Sequence, residues 1–170
     1  MNVKRWVGVL GAAVLLSSVA ACADDSKPVK HVVVHTMLAG KDTSRTTATV
    51  SDVPNHEIVQ RVYSYVLSSD DKDFDKMRTE NFAQTDTTDG KGTHTGGYAI
   101  WKNAQGDQIF MQFSGEHHAD SASAQNAAFS GKFTVRGGTG KFSGISGDGS
   151  YKGSITPTGQ SSEVLLDARY

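Results

Sequence analysis

From His31 to the C-terminus the chain is written almost throughout in a period of two, with Val, Thr, Tyr and Phe alternating with polar residues. Gly, Asp and Asn clusters separate the runs. Alternation of this kind sends successive side chains to opposite faces, so the chain is committed to sheets with one covered and one wet face. Ile109, Met111 and Phe113 stand against Gln108, Gln112 and Ser114, while Phe129, Phe133 and Val135 stand against Ser130, Lys132, Thr134 and Arg136. Val164, Leu166 and Ala168 repeat the pattern against Glu163, Asp167 and Arg169. Strands are predicted at 31–39, 46–50, 57–69, 74–86, 95–103, 108–117, 127–136, 149–155 and 163–170. Segment 57–69 also places Ile58, Val62 and Val66 at helical spacing, but its aromatic and β-branched content favours a strand with Val59, Arg61, Tyr63, Tyr65 and Leu67 on one face. Eight or nine strands with short turns and no crossover helices predict an all-β, antiparallel architecture, a barrel or a sandwich. Closure would remove the free edges that a sheet protein otherwise has to protect.

The N-terminus is of a different kind. Lys4 and Arg5 precede the apolar run WVGVLGAAVLLSSVA and small residues around Cys22, the order of a secretory signal. The run is too short and wrongly flanked for a stable membrane span. Val19-Ala20-Ala21-Cys22 resembles a bacterial lipobox, which would make Cys22, the single cysteine, the lipidated first residue. The alternative is ordinary cleavage at Ala21-Cys22-Ala23, releasing a soluble protein. The expected organisation is a signal peptide over 1–21, a polar tether over 22–30 and one β-barrel domain over 31–170. Localisation follows as periplasm, outer membrane or cell surface for the lipoprotein, and periplasmic or secreted otherwise. Removing Lys4 and Arg5 from the 17 basic residues leaves a chain in which the 18 acidic ones dominate, so nucleic acid is not an expected partner.

The stretch GGTGKFSGISGDGSYKG, Gly137 to Gly153, is the densest glycine run. It lacks the spacing of a phosphate loop, because Gly140-Lys141 is followed by Phe142, and it lacks the dinucleotide fingerprint. Phe142, Ile145 and Tyr151 punctuate it at core-like positions, which predicts a β-corner anchored by those three side chains. This layout, with Gly106-Asp107-Gln108-Ile109-Phe110 after a strand from Tyr98 to Trp101, resembles exported bacterial proteins of the allene oxide cyclase and dirigent type. The resemblance covers roughly Tyr98 to Gly153, with Tyr63 to Asp86 a looser match. It implies a closed eight-stranded barrel, or nine strands, of the allene oxide cyclase-like or calycin-like kind. It also implies an axial cavity for reactive or aromatic small molecules, and it carries over no functional residue.

The residues themselves give sparse chemistry. His31 and His35 would lie roughly 13 Å apart on a strand, and His117 and His118 point to opposite sides, so no metal is expected. There is no Cys/His zinc pattern and no nucleophile elbow, and no cofactor is expected. In strand 74–86, Phe74, Arg78, Glu80 and Phe82 share a face, a charged pair between two phenylalanines. That face, with Arg61, Tyr63 and Tyr65 from the preceding strand and with Trp101 and His117, is a candidate cavity lining. The plainer alternative has the phenylalanines packing and the charges at the surface. The expected function is small-molecule binding by an exported, lipid-anchored barrel without covalent chemistry. The alternatives are an isomerase or cyclase that shapes a reactive substrate, and a structural or interaction protein of the envelope.

Overall fold

The computed structural model describes residues 26–38, 42–119 and 126–170. The expected signal peptide over 1–21 and the expected lipid-attachment residue Cys22 lie outside the described residues. Nine strands follow in order: β1 (Lys30–Leu38), β2 (Ser44–Val50), β3 (His56–Ser68), β4 (Arg78–Thr88), β5 (Lys91–Lys102), β6 (Gln108–Ala119), β7 (Ala127–Gly138), β8 (Ser146–Thr156) and β9 (Gly159–Arg169). All pairings are antiparallel, and eight strands form a hydrogen-bonded, barrel-like ring in the order β1-β9-β8-β7-β6-β5-β4-β3. Among the described residues the ring closes through two register pairs, His35 with Ser68 and Thr36 with Leu67. Closure is short because β1 and β2 share one edge of β3, with β2 taking positions 56–62 of that strand. Strand 57–69 is therefore a strand, and β2 is the ninth, outside the ring.

The interior is filled by a glycine-aromatic alternation. Phe113 lies opposite Gly97, Tyr151 opposite Gly131, Phe133 opposite Gly149 and Phe129 opposite Gly153. In each case a β-carbon on the glycine would run into the facing ring. Pairing a large with an absent side chain lets four rings occupy a bore that four pairs of ordinary residues would overfill. Tyr151 consequently stands in the bore, its ring 5.9 Å from that of Phe113, and does not anchor the glycine corner as expected.

The corner itself is as read, with Phe142 and Ile145 buried. Gly140 takes φ +58 against the Asp107 side chain, where a β-carbon would collide, and Gly144 takes φ +78. A single 3-10 turn, Gly140–Phe142, links β7 to β8. The neighbouring β5–β6 turn closes with Gly106 at φ +96 and an Asn103 N–H to Asp107 carbonyl bond of 3.0 Å.

One end of the ring is plugged. The loop between β3 and β4 folds back, with Phe74 and Met77 fully buried and Phe74 packed on Trp101, Phe142 and Tyr170. Phe74 therefore belongs to a loop and not to the strand expected from residue 74. Over this plug Asp73 accepts from Lys141 at 2.8 Å, from the Tyr170 hydroxyl at 2.8 Å and from Lys30 at 3.1 Å. Lys141 foremost, then Tyr170, holds the Asp73 carboxyl far below the usual carboxylate range. Burial pushes the Tyr170 phenol up to about 12.

Two stability predictions follow from these contacts. Gly131→Ala would drive a β-carbon into the Ser114 carbonyl and the Tyr151 ring, whereas Gly96→Ala meets nothing within 4 Å. In urea unfolding Gly131→Ala is expected to lose about 1–3 kcal/mol or more and Gly96→Ala to stay within about 0.5 kcal/mol; equal losses would contradict the packing described. The depressed Asp73 carboxyl contributes stability above its unfolded value of 3.8, which is lost as pH falls towards the lower folded value. Thermal melts of Asp73→Asn are expected to show a lower midpoint at neutral pH and a shallower decline below about pH 4.

Candidate functional site

Cross-strand partners in an antiparallel sheet point to the same side, so the register of β3 decides what the bore contains. Tyr63 pairs with Asn81, Tyr65 with Thr79 and Arg61 with Ala83. Because Arg61, Tyr63 and Tyr65 face inward, Thr79, Asn81 and Ala83 must do so too. Arg78, Glu80 and Phe82 are thereby turned out, and all three are exposed. The expected inward placement of Arg78 and Glu80 is corrected on that ground.

Two spaces lie along the axis. The inner one, about 60 Å³, is walled by Tyr63, Tyr65, Trp101, Phe129, Tyr151 and neighbouring apolar side chains, with Asn81, Gln160 and Ser162 as polar members. The outer one, about 190 Å³, lies at the end opposite the plug and includes Arg45, Glu57, Arg61, Thr87 and His117. Of the sequence candidates, Tyr63, Tyr65 and Trp101 thus line the inner space, and Arg61 and His117 the mouth. Successive inward residues of β3 run from one to the other, Val59 and Arg61 in the mouth and Tyr63 in the bore.

The neck is held by Asp42, which pairs closely with Arg61 and at 3.7 Å with Arg45. Arg61 donates from Nε at 2.8 Å and Nη2 at 2.6 Å to the two carboxylate oxygens of Asp42, and its guanidinium lies 5.0 Å from the Tyr63 ring centre. A two-pronged bond of this kind fixes both direction and rotation of the guanidinium. Deeper in, Asn81 donates to Thr79 Oγ1 at 2.7 Å and to the Tyr63 carbonyl at 3.3 Å. Burial raises the Tyr63 and Tyr65 phenols well above their ordinary value, so both stay protonated as donors. Gln160 is 9% exposed, and its Oε1 has no hydrogen-bond partner among the described residues. A buried amide oxygen left in this state costs free energy that an incoming donor would recover.

Sequence reasoning missed Asp42, Asn81 and Gln160. Gln160 and Ser162 share the parity of Val164, Leu166 and Ala168, so extending that alternation back through the turn would have found them. Asn81 follows only from the register with Tyr63, and Asp42 only from a loop whose closure onto Arg61 has no sequence signal.

Two histidines at this end carry opposite shifts. Burial, with Arg61, His118 and Arg45 nearby, lowers the pKa of His117, whose Nδ1–H donates to the Gly90 carbonyl at 3.2 Å. His56 bridges Asp52 at 2.6 Å and Asp86 at 2.8 Å, and those bonds raise it. The raised His56 contributes stability that is full below the unfolded value of 6.5 and is lost as pH rises through the folded value. NMR titration is expected to place His56 above and His117 below 6.5. Asp52→Asn should bring His56 down while leaving His117 in place; coincident titrations in the wild type would refute the assignment.

A scan against protein-family models finds no match to this chain, and a search of the curated proteins finds none either.

Proposed function

We propose that the protein binds a small, partly apolar molecule through the open end of its ring and performs no covalent chemistry on it. The carrying observation is Gln160 Oε1, buried and without a partner among the described residues, in a space otherwise walled by aromatic rings. The inner space is well below the roughly 150 Å³ that houses a benzene ring. The ligand body therefore rests in the larger mouth and sends one narrow group with a hydrogen-bond donor down to Gln160. Arg61, locked by Asp42 above Tyr63, orients it at the neck. The resemblance to exported bacterial proteins of the allene oxide cyclase and dirigent type supports the same reading, since cavity binding is what that likeness implies. Export and attachment through Cys22 complete it.

The isomerase or cyclase alternative required Arg78 or Glu80 beside the cavity, and both lie outside. The envelope interaction alternative keeps one specific support, the adjacent exposed rings of Phe82 (41%) and Tyr98 (52%) on the outer face.

Native mass spectrometry of protein purified from its own host is expected to show a bound compound released on unfolding. Gln160→Leu should keep the fold and lose most of that compound, a drop of about tenfold in occupancy-derived affinity for one lost buried hydrogen bond. A wild-type protein that carries nothing, or a Gln160→Leu variant as fully loaded as the wild type, would defeat the proposal.

A further inference from the structure

A wide groove lies outside the ring. About 370 Å³ of space crosses β2 to β6 on the outer face, and a second groove of about 250 Å³ meets it at Gly96 and Gln112 and continues to β7. The floor is low because the ladder between β5 and β6 is irregular from His94 to Gly97, and because Gly96 contributes no side chain. One register row runs straight across this surface, from Val62 through Phe82 and Tyr98 to Gln112. Phe82 and Tyr98 are cross-strand partners, so two half-exposed rings stand side by side in the middle of a sheet.

The chemistry around the rings is selective. Gln60 and Gln84 flank them on one side, 3.4 Å apart amide to amide, and Arg136 donates twice to Gln112 Oε1 on the other. No carboxylate lines either groove, and Lys132 and Arg136 lie at the β7 end. The groove starts at Ser44 and Thr46 of the edge strand β2, but from β3 to β7 every strand is paired along both edges, so its centre offers side-chain amides and rings and no backbone ladder to an extended peptide.

We propose that this outer groove binds a linear acidic oligosaccharide. Sugar rings present an apolar face that stacks on Phe82 and Tyr98, and their hydroxyls both donate to and accept from the glutamine amides. Their carboxylates meet Lys132 and Arg136 at the β7 end, where the groove lining itself includes no acidic side chain. The inference rests on the outer face alone and stands whether or not the bore takes a ligand.

The test is an array of neutral and uronic-acid-containing oligosaccharides probed with the purified protein, followed by titration of the best uronide with NMR detection. Binding is expected to be confined to acidic chains, to perturb the side-chain amides of Gln60, Gln84 and Gln112, and to weaken as salt is raised. Tyr98→Ala, at an exposed position, should weaken binding by about tenfold with an unchanged melting temperature. Lys132→Gln should weaken it and flatten the salt dependence. No uronide binding at millimolar concentration, preference for neutral chains, or wild-type affinity in Tyr98→Ala would each overturn the proposal.

Discussion

The contact on which the rest of this structure depends is an aromatic ring lying over a glycine. Four such pairs, Gly97 with Phe113, Gly131 with Tyr151, Gly149 with Phe133 and Gly153 with Phe129, occupy the inside of the ring from β5 to β8. Each glycine gives up side-chain area and backbone order, a cost of roughly 0.5–1 kcal/mol. Each ring recovers it by burying far more apolar surface than a pair of medium-sized residues would in the same space. Because the rings project from three successive strands, β6, β7 and β8, they also fix how tightly that wall curves. Only a narrow central space is left.

That filling separates the two ends of the molecule in character. At one end the loop between β3 and β4 inserts Phe74 and Met77, and Asp73 gathers Lys30, Lys141 and Tyr170 over the plug. Apolar packing and ionic bonding there act on the same few residues, so the end is shut by interactions that reinforce one another. At the other end the inward positions turn polar, and Arg61 with Asp42 forms a neck in place of a plug. An axis closed below and polar above is suited to a ligand that enters from one side with its apolar part directed inward. Asn81 and Gln160 supply orientation inside an otherwise aromatic wall.

Much of this was legible from period two alone. All nine strands overlap the segments where alternation puts them, although β4 starts at Arg78 and leaves Phe74 in a loop, and the face Val59, Arg61, Tyr63, Tyr65, Leu67 is the inward face of β3. The same rule failed in β4, because parity says which residues share a side but not which side is covered. Phe82 outside and Asn81 inside reverse the hydrophobic expectation, and only the register with Tyr63 decides between them. The glycine corner was readable as structure because Phe142 and Ile145 have no solvent-facing reason to be there. Tyr151, next in that series, was misread because its parity belongs to β8 and its partner Gly131 is distant in sequence. Asp42 was invisible, since a salt bridge formed by a loop leaves no periodic trace.

The central claim is that the bore ends in an amide oxygen, Gln160 Oε1, that has no partner among the described residues and that a ligand satisfies from the mouth. A high-resolution crystal structure of the protein as isolated from its host, inspected by difference density along the axis, tests it most directly. The account predicts density continuous from the space beside Arg61 and His117 past Tyr63, ending in an atom at hydrogen-bond distance from Gln160 Oε1. A bore closed on itself, with Gln160 Oε1 accepting from another side chain and only solvent in the mouth, would contradict it.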